Sequence, residues 1–380
     1  MRFDCGLYAH GGETATYPQV DEWRAEARLL EDGGFTGVWV AEHHFFWDGW
    51  VTPTPTNPTL AGVDIAAHTT KLRIGQCGVC LTDRHPIHVA EDIAMLDHMS
   101  KGRVDFGIIK GINNRVNSNF NVNADRRDKA KNSALFEEAI DIIIKCWTEE
   151  AFSHTGEFYT LPMPGWKESV PELTQDRRYH TEDGEVIALG VLPKPYQKPH
   201  PPIWQMADSI ESYMFAAGRG FRAMSWGRTL EGTRDSWTAY REVASRVQGR
   251  DVPMGENVAM MRPIFVAKTK EEAENIMRPA INGLMNYGGS RRSRQMMMGK
   301  NEPLTDADLE EDWFDFLTKR GHTLVGTPEF VVEGIERWRT ELGCEHVTLF
   351  WPLPFLTFPE VMRSLYLFSE QVIPRFQVTG

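Results

Sequence analysis

Short apolar runs alternate along the chain with segments in which apolar side chains recur at helical spacing. Short runs rich in β-branched and aromatic residues predict buried strands, and the longer periodic segments predict amphipathic helices. The predicted strands cover residues 3–9, 35–40, 72–81, 104–109, 203–206, 223–226, 259–267 and 347–350. The predicted helices cover residues 20–31, 59–68, 89–99, 129–148, 210–217, 233–247, 271–286 and 359–372.

This alternation predicts an α/β fold, a single (β/α)8 TIM-type barrel over residues 1–380 with insertions. An open doubly wound sheet is the alternative, but no Gly-x-Gly-x-x-Gly run opens the first helix, as a dinucleotide-binding domain would require. The alternation of strands and helices is interrupted twice. Residues 152–202 are rich in proline, glycine and charge, and we interpret them as an insertion because the alternation resumes afterwards. Residues 288–311 are a second irregular stretch with three arginines and three methionines.

Composition narrows the possible partners. The 380 residues carry a formal net charge of −12 with scattered acidic groups, which argues against nucleic acid because phosphate binding needs a basic surface. No window approaches 18 consecutive apolar residues and no basic-then-apolar segment opens the chain, so we expect a cytoplasmic protein without a membrane span. The five cysteines are expected to be reduced. The spacing of Cys77 and Cys80 has no second pair to complete a zinc site.

A carboxylate and two imidazoles, Glu42, His43 and His44, directly follow the predicted strand at residues 35–40. Barrels of this class place their chemistry just past the carboxyl ends of the strands. The simplest alternative is a pair of loop histidines that only form hydrogen bonds. Metal binding by these histidines together with His85 and His88 is a further alternative, but their spacing matches no recognised ligand motif.

Four separated segments carry a resemblance to a known family. They are Glu42-His43-His44-Phe45; residues 75–111, with Leu96-Asp97-His98-Met99-Ser100-Lys101-Gly102-Arg103; Ala207-Asp208-Ser209 with Ser212 and Ser225-Trp226; and Gly326-Thr327-Pro328-Glu329. Together they resemble the bacterial luciferase-like, flavin-dependent monooxygenases, and within them the luciferase catalytic subunit, over nearly the whole chain. The most specific run is Leu96 to Arg103, and its last four residues, from Ser100, are best explained as a helix end with cations and a left-handed glycine.

The resemblance implies an FMN site. His43 would be the general base or proton donor beside a flavin hydroperoxide, with a pKa suited to work near neutrality. His44 would support it, and Glu42 would fix the local backbone or a cofactor hydroxyl. The cofactor-contacting residues implied by the family, in addition to Glu42, are Cys77, Gly78, Lys110, Ala207, Asp208, Ser209, Ser212 and Trp226.

These positions differ in what they are expected to do. Cys77–Gly78 would form a non-prolyl cis peptide behind the flavin ring, and Trp226 would line the ring or be an ordinary core residue. The helix that opens with Asp208 and Ser209 would bind the phosphate or ribityl chain, although both residue types also serve as simple N-caps. Lys110 stands where luciferase has an arginine, and it loses the bidentate fork. A second cation is expected from a set that remains open: Arg126, Arg127, Lys129 and Lys131.

The implied activity is insertion of one oxygen atom from O2 into a small organic substrate. A separate NAD(P)H:flavin reductase would supply reduced FMN, because no NADH-binding glycine fingerprint is present. Baeyer–Villiger oxidation and hydroxylation both remain open. Bioluminescence is not expected, because the 152–202 insertion is longer than in luciferase and its Trp166 and Tyr179 would reshape the substrate pocket. Residues 288–311 lie where luciferases have an active-site lid.

Three alternatives to this activity remain. The first is a deazaflavin-dependent hydride-transfer enzyme, which uses the same barrel. The second is a non-catalytic flavin-binding protein. The third is that the chain is one half of a heterodimer, as luciferase is, whereas the resemblance by itself implies a homodimer. No metal ion is expected at the site.

Overall fold

The strands and helices follow from a computed structural model that describes residues 1–7, 20–45, 55–111, 114–288, 293–351 and 355–377. The strands are β1 Arg2–Leu7, β2 Gly37–Val40, β3 Arg73–Gln76, β4 Val79–Cys80, β5 Val104–Ile109, β6 His154–Thr155, β7 Thr160–Leu161, β8 Ile203–Met206, β9 Arg222–Ser225, β10 Val258–Val266, β11 Leu324–Gly326 and β12 His346–Phe350. The helices are α1 Val20–Asp32, α2 Pro58–His68, α3 Pro86–Met99, α4 Asn114–Phe120, α5 Lys129–Thr148, α6 Ile210–Gly218, α7 Leu230–Gln248, α8 Lys270–Gly288, α9 Arg294–Met297, α10 Asp306–Glu310, α11 Trp313–Lys319, α12 Pro328–Leu342, α13 Phe358–Leu367 and α14 Ile373–Phe376.

The chain divides into two compact units, residues 1–78 with 203–380, and residues 79–202. In the first unit, seven strands pair in parallel in the order β3, β2, β1, β12, β10, β9, β8. The far half of β10 also pairs in parallel with β11. All these strands therefore end at the same edge of the sheet.

One face of this sheet carries a buried apolar cluster of Trp39, Trp204, Met224, Ala259 and Met261. The register places Trp39 directly opposite a glycine, Gly75. A Cβ added at this glycine would lie 2.3 Å from the Trp39 ring, so only glycine leaves room for the indole. Large side chains and a facing glycine thus interlock to close the core of the first unit.

The second unit contains the parallel pair β4–β5, helices α3, α4 and α5, and the antiparallel hairpin β6–β7. Residues 152–202 form part of this unit. The bridge between Phe152 and Leu189 joins two parts of this stretch, and Lys194 ties the stretch to α5, where its Nζ donates to the Cys146 carbonyl at 2.7 Å. The stretch predicted as an insertion is therefore folded against its own unit, and its status as an insertion stays a prediction.

Most predicted elements match the structure closely. The strands at Val104–Ile109 and Ile203–Met206 and the helix at Lys129–Thr148 have the predicted bounds. The run predicted as one strand at 72–81 is two short strands, β3 and β4, and the Cys77–Gly78 cis peptide bond lies between them.

The elements missing from the prediction include α11, β11 and α12, which follow one another between residues 313 and 342. The Gly-Thr-Pro-Glu motif is the start of α12, where Thr327 accepts the Phe330 N–H and Pro328 opens the helix. Within the described ranges, no helix combines the length and the apolar character needed to cross a membrane.

Candidate active site

The segment after β2 separates its two histidines into different environments. His44 Nε2 donates a hydrogen bond to Glu42 Oε1 at 2.6 Å, and both side chains are largely buried. An ionised carboxylate can only accept, so the His44 ring is held in one tautomer and one orientation. Glu42 was expected to fix the backbone or a cofactor hydroxyl; the structure shows that it binds His44.

His43 differs from His44 in its hydrogen bonding. Its imidazole forms no hydrogen bond with any residue that the structure describes. Burial lowers the pKa of His43 to about 4, with Glu42 opposing the shift and His44 adding to it. The expectation of a pKa near neutrality is thus wrong for the ligand-free protein, because burial disfavours the charged ring. The imidazole is neutral at pH 7, with free capacity to donate and to accept one hydrogen bond.

The end of β3 carries the predicted cis bond between Cys77 and Gly78. The Cys77 thiol lies 3.6 Å from the Met206 sulfur at the end of β8. Burial, together with the nearby Asp208, raises the pKa of Cys77 to about 12, so the group is a neutral thiol and a poor nucleophile. Cys80 bonds within its own unit, to Thr82 Oγ1, and none of the five cysteines, all of which lie in the described ranges, forms a disulfide.

Helix α6 opens with the predicted serine pair. Ser209 is the N-cap, and its Oγ accepts the Ser212 N–H at 3.3 Å. The Ala207 N–H donates to the Met224 carbonyl at 2.8 Å, which fixes the approach of the chain to the helix. Hydrogen bonds from its own N–H and from Ser209 lower the pKa of Glu211 against the effect of burial. A carboxylate thus already lies at the positive end of the helix, as an anion would.

A cation that the sequence analysis missed lies beside this helix start. Arg228 Nη2 donates to the carbonyl of Asp208 at 3.0 Å, while its buried Nε has no hydrogen-bond partner. Its charge also contributes to the lowered pKa of Glu211. The helix N-terminus, the serine hydroxyls and this guanidinium together form a donor set suited to a phosphate.

Trp226 follows β9 and is only partly buried. Its ring stacks on that of Phe350, the last residue of β12, with centroids 5.3 Å apart at 20°. Both residues pack, with Cys77 and Met206, against the buried core cluster. The carboxyl ends of β3, β8, β9 and β12 therefore carry an apolar layer of two aromatic rings and two sulfur-containing side chains.

Lys110 lies in the second unit, at the end of β5. Its Nζ donates to Ser133 Oγ at 3.0 Å and lies 5.3 Å from the centre of the Phe136 ring. Burial lowers the pKa of Lys110, and Arg126 lowers it further against the effect of Glu137. Of the four candidate second cations, Arg126 is thus near Lys110, whereas Arg127 binds Asp125. Cofactor contact by Lys110 stays a prediction.

The described part of the expected lid, residues 293–311, is anchored to its surroundings. Met297 and Met298 are buried, and the Met297 carbonyl accepts the Thr229 N–H at 2.8 Å. Arg294 lies over the Trp313 ring at 4.5 Å. Residues 289–292 lie outside the described residues, so the lid itself stays a prediction, with 293–311 as its fixed base.

The described groups at the strand ends fit flavin mononucleotide. The donor set at α6 suits a phosphate, the apolar layer suits a flat aromatic ring, and an open imidazole lies at the same edge of the sheet. No cluster of three or more His, Cys, Asp or Glu side chains suited to a metal ion occurs in the described ranges.

The chain matches the family described as luciferase-like monooxygenase over residues 1–346. It is 24% identical to the oxygenase component of the flavin-dependent trigonelline monooxygenase of Acinetobacter baylyi, covering 99% of this chain and 96% of that protein. It is also 24% identical to the alkanal monooxygenase alpha chain of Photorhabdus luminescens, covering 98% of this chain and 96% of that one.

Two solved structures show the fold. The oxygenating constituent of 3,6-diketocamphane monooxygenase of Pseudomonas putida, a type II Baeyer–Villiger monooxygenase in complex with FMN, has a TM-score of 0.74 at 22% identity, covering 99% and 98% of the two chains. An F420-dependent secondary alcohol dehydrogenase has a TM-score of 0.68 at 17% identity, covering 99% and 100%. The likeness confirms the predicted (β/α)8 barrel fold.

Proposed function

We propose that this chain, which belongs to the luciferase-like monooxygenase family, is the FMN-dependent oxygenase of a two-component system. The match to the family model confirms the resemblance carried by the four sequence motifs, and the chain is a flavin-dependent monooxygenase. The finer proposal is that reduced FMN arrives from a separate NAD(P)H:flavin reductase. One relative is named as an oxygenase component, which supports a divided system of this kind.

The observation that carries the proposal is the unbonded His43 imidazole at the sheet edge where α6 offers an anion site. When bound, reduced FMN would supply the reaction with dioxygen, by way of a flavin hydroperoxide. The phosphate would lie against Ser209, Ser212 and Arg228, whose donors remain fixed without it. The apolar layer around Trp226 would exclude water from the ring.

His43 would handle a proton. Its pKa of about 4 in the ligand-free protein reflects burial without a counter-charge. A negative charge placed near an imidazole raises its pKa, so binding of an anionic reduced flavin would bring His43 toward the range of a general base or acid near neutral pH. His44, held by Glu42, would support the position of this segment.

The substrate class remains the broad one, a small organic molecule that accepts one oxygen atom. The relatives are named for trigonelline, alkanals and 3,6-diketocamphane, so pyridine, aldehyde and cyclic ketone compounds are the first candidates to assay. A ketone or aldehyde would lead to a Baeyer–Villiger product, and an electron-rich ring would lead to a hydroxylated one.

Rapid mixing tests the proposal. Enzyme with chemically reduced FMN is mixed with oxygenated buffer, and near-ultraviolet absorbance is followed before oxidised flavin appears. We expect an intermediate adduct that persists in the wild-type protein and decays faster in His43→Gln. Direct, single-step oxidation in both proteins, with no product from any candidate substrate, would contradict the proposal.

Oxygen dependence separates the two remaining enzyme classes. The likeness to the F420-dependent dehydrogenase concerns the fold alone, and a deazaflavin enzyme would turn over an alcohol or ketone without oxygen. If the enzyme turned over anaerobically with reduced deazaflavin, the cofactor would therefore be a deazaflavin rather than FMN. Unchanged activity in His43→Gln together with tight FMN binding would instead favour a flavin-binding protein. Sizing the purified chain tests the proposed homodimer against a heterodimer.

A further inference from the structure

The carboxyl end of β9 is held by buried side chains rather than by solvent. Arg262 Nη1 donates to the carbonyl of Ser225 at 3.0 Å, and His322 Nε2 donates to the next carbonyl, that of Trp226, at 2.5 Å. The Tyr213 hydroxyl also donates to Ser225 Oγ at 3.1 Å. Carbonyls just past a strand usually bond to water or to local backbone, so two consecutive carbonyls bound by a buried arginine and a buried histidine fix this peptide strongly.

His322 is wholly buried in the loop between α11 and β11. A carbonyl oxygen only accepts, so the Nε2 that bonds Trp226 carries the proton. In the neutral ring the other nitrogen, Nδ1, then accepts the hydroxyl of Thr323 at 3.1 Å. The His322 ring also lies edge-on to the Trp226 indole, with centroids 6.4 Å apart at 69°. One side chain therefore contacts both the backbone and the ring of Trp226.

Support from His322 matters because the backbone after Trp226 is permissive. It is followed by Gly227, whose backbone is the most permissive of any residue. Its indole is covered on one side by Phe350 and is partly exposed, at the layer that the flavin or substrate would contact. The bond from His322 restrains the 226–227 peptide, which is attached to the Cα that carries the indole.

We propose that His322 is a positioning residue that holds the Trp226 indole as a fixed wall of the oxygenation site. The inference rests on the proposed function for the identity of the ligand, but not for the contact between the two residues. A fixed wall keeps water from the ring and keeps the substrate close to it. Its loss should therefore divert turnover to hydrogen peroxide and weaken flavin binding very little.

Three variants test the role. His322→Leu removes the donor, His322→Gln keeps an N–H group for the Trp226 carbonyl, and His346→Gln alters a buried histidine at the opposite end of the sheet. We expect product formed per reduced FMN to fall about tenfold in His322→Leu, an effect equal to the loss of one buried hydrogen bond. His322→Gln should recover most of this coupling, and His346→Gln should keep it. FMN affinity should stay within about threefold in all three.

A measurement without ligand separates this inference from the proposed function. The protein is labelled with fluorotryptophan, and the Trp226 fluorine signal is assigned as the one lost in Trp226→Phe. His322→Leu should shift and broaden this signal, whereas His346→Gln should leave it in place. An unmoved signal with unchanged coupling would reduce His322 to a structural residue and overturn the inference. If wild-type protein failed to bind FMN, the proposed function would fail, while the fluorine signal would still decide whether His322 holds Trp226.

Discussion

The two ends of the parallel sheet in the first unit use polar groups in opposite ways. At the amino end, the buried Asp4 carboxylate accepts hydrogen bonds from Trp39 Nε1 at 2.8 Å, His346 Nε2 at 2.8 Å and Arg2 Nη2 at 2.7 Å. Against the cost of burial, Arg2 and His346 lower the pKa of Asp4 far below its usual range. Every partner in this network is satisfied from within the protein.

The carboxyl end differs in its polar groups and in its exposed surface. His43 has no hydrogen bond to a described residue, the buried Nε of Arg228 has no partner, and the indole of Trp226 is partly exposed. Unsatisfied groups lower stability, so they are expected where a ligand completes them. Two histidines show the contrast: His346 is hydrogen-bonded to a carboxylate, and His43 has no hydrogen bond to a described residue. This contrast agrees with the general arrangement of such barrels, in which the carboxyl ends of the strands carry the chemistry.

The largest effect is expected from breaking the amino-end network. Asp4→Asn removes the charge that Arg2 and His346 face in a buried position, and breaking a buried pair in this way costs about 3 kcal/mol or more. We expect the free energy of unfolding, measured in urea, to fall by that amount. Oxygenation per folded molecule should be unchanged. If Asp4→Asn kept wild-type stability but formed less product per reduced FMN, the proposed division between the two ends would be wrong.

The carboxyl end should give the opposite result. His43→Gln keeps a polar side chain of similar length and loses proton transfer, which general acid–base catalysis makes worth about 100-fold or more in rate. We expect substrate oxygenation to fall by this factor with little change in urea stability at pH 7. Steady-state product formation and a denaturation curve on the same preparation measure both. Wild-type activity in this variant would remove His43 from the chemistry.

The sequence pattern predicts the parts of the molecule that are encoded locally. The strand at Val104–Ile109 and the cap at Ser209 follow from short runs and spacing. Helix α12 carried a usable signal that the prediction missed: Thr327 and Pro328 at its start, then Ile335, Trp338 and Leu342 at helical spacing. A cap, a first-turn proline and this period together would have identified it.

Other site residues carry no local signal. His322 reaches Trp226 across 96 positions, and Arg262 reaches Ser225 across 37. Both side chains bond to backbone carbonyls, which every residue has, so no residue type at the far end marks the contact. Arg228 was not among the predicted cations because the family resemblance places them after β5, whereas Arg228 follows β9. The low pKa of His43 depends on burial, which spacing does not reveal.

As the pH falls, the two ends of the sheet should lose their contributions to folding stability in separate pH ranges. The folded pKa of His43 is about 4, below its ordinary value of 6.5, so the folded state binds fewer protons between these values and loses stability as the pH falls through them. We expect wild type to lose roughly 1–2 kcal/mol relative to His43→Gln between pH 7 and pH 5. Asp4, whose pKa is lowered, should lose its contribution only below about pH 4. Parallel pH profiles for wild type and His43→Gln would contradict the buried, neutral assignment.

Arg228 lies at the proposed phosphate site. Arg228→Met removes a charge-assisted contact, so FMN should bind about tenfold more weakly. Riboflavin, which lacks the phosphate, should bind with unchanged affinity. Quenching of flavin fluorescence measures both affinities, and Arg219→Met, a change at the other end of α6, is the matched control. Equal weakening of FMN and riboflavin would place the guanidinium away from the phosphate.

Glu211 should give the smallest effect, in the opposite direction. Its carboxylate lies at the start of α6, bonded to its own N–H and to Ser209, where the phosphate is proposed to bind. Two like charges about 4 Å apart in water repel by about 1 kcal/mol, roughly fivefold in affinity. Glu211→Gln should therefore tighten FMN binding by up to this factor without changing riboflavin binding, and added salt should shrink the difference. Weaker FMN binding in this variant would mean that the carboxylate orders the donors rather than competing with the phosphate. The polar groups at the start of α6 would then be satisfied from within the protein, like those at the amino end of the sheet.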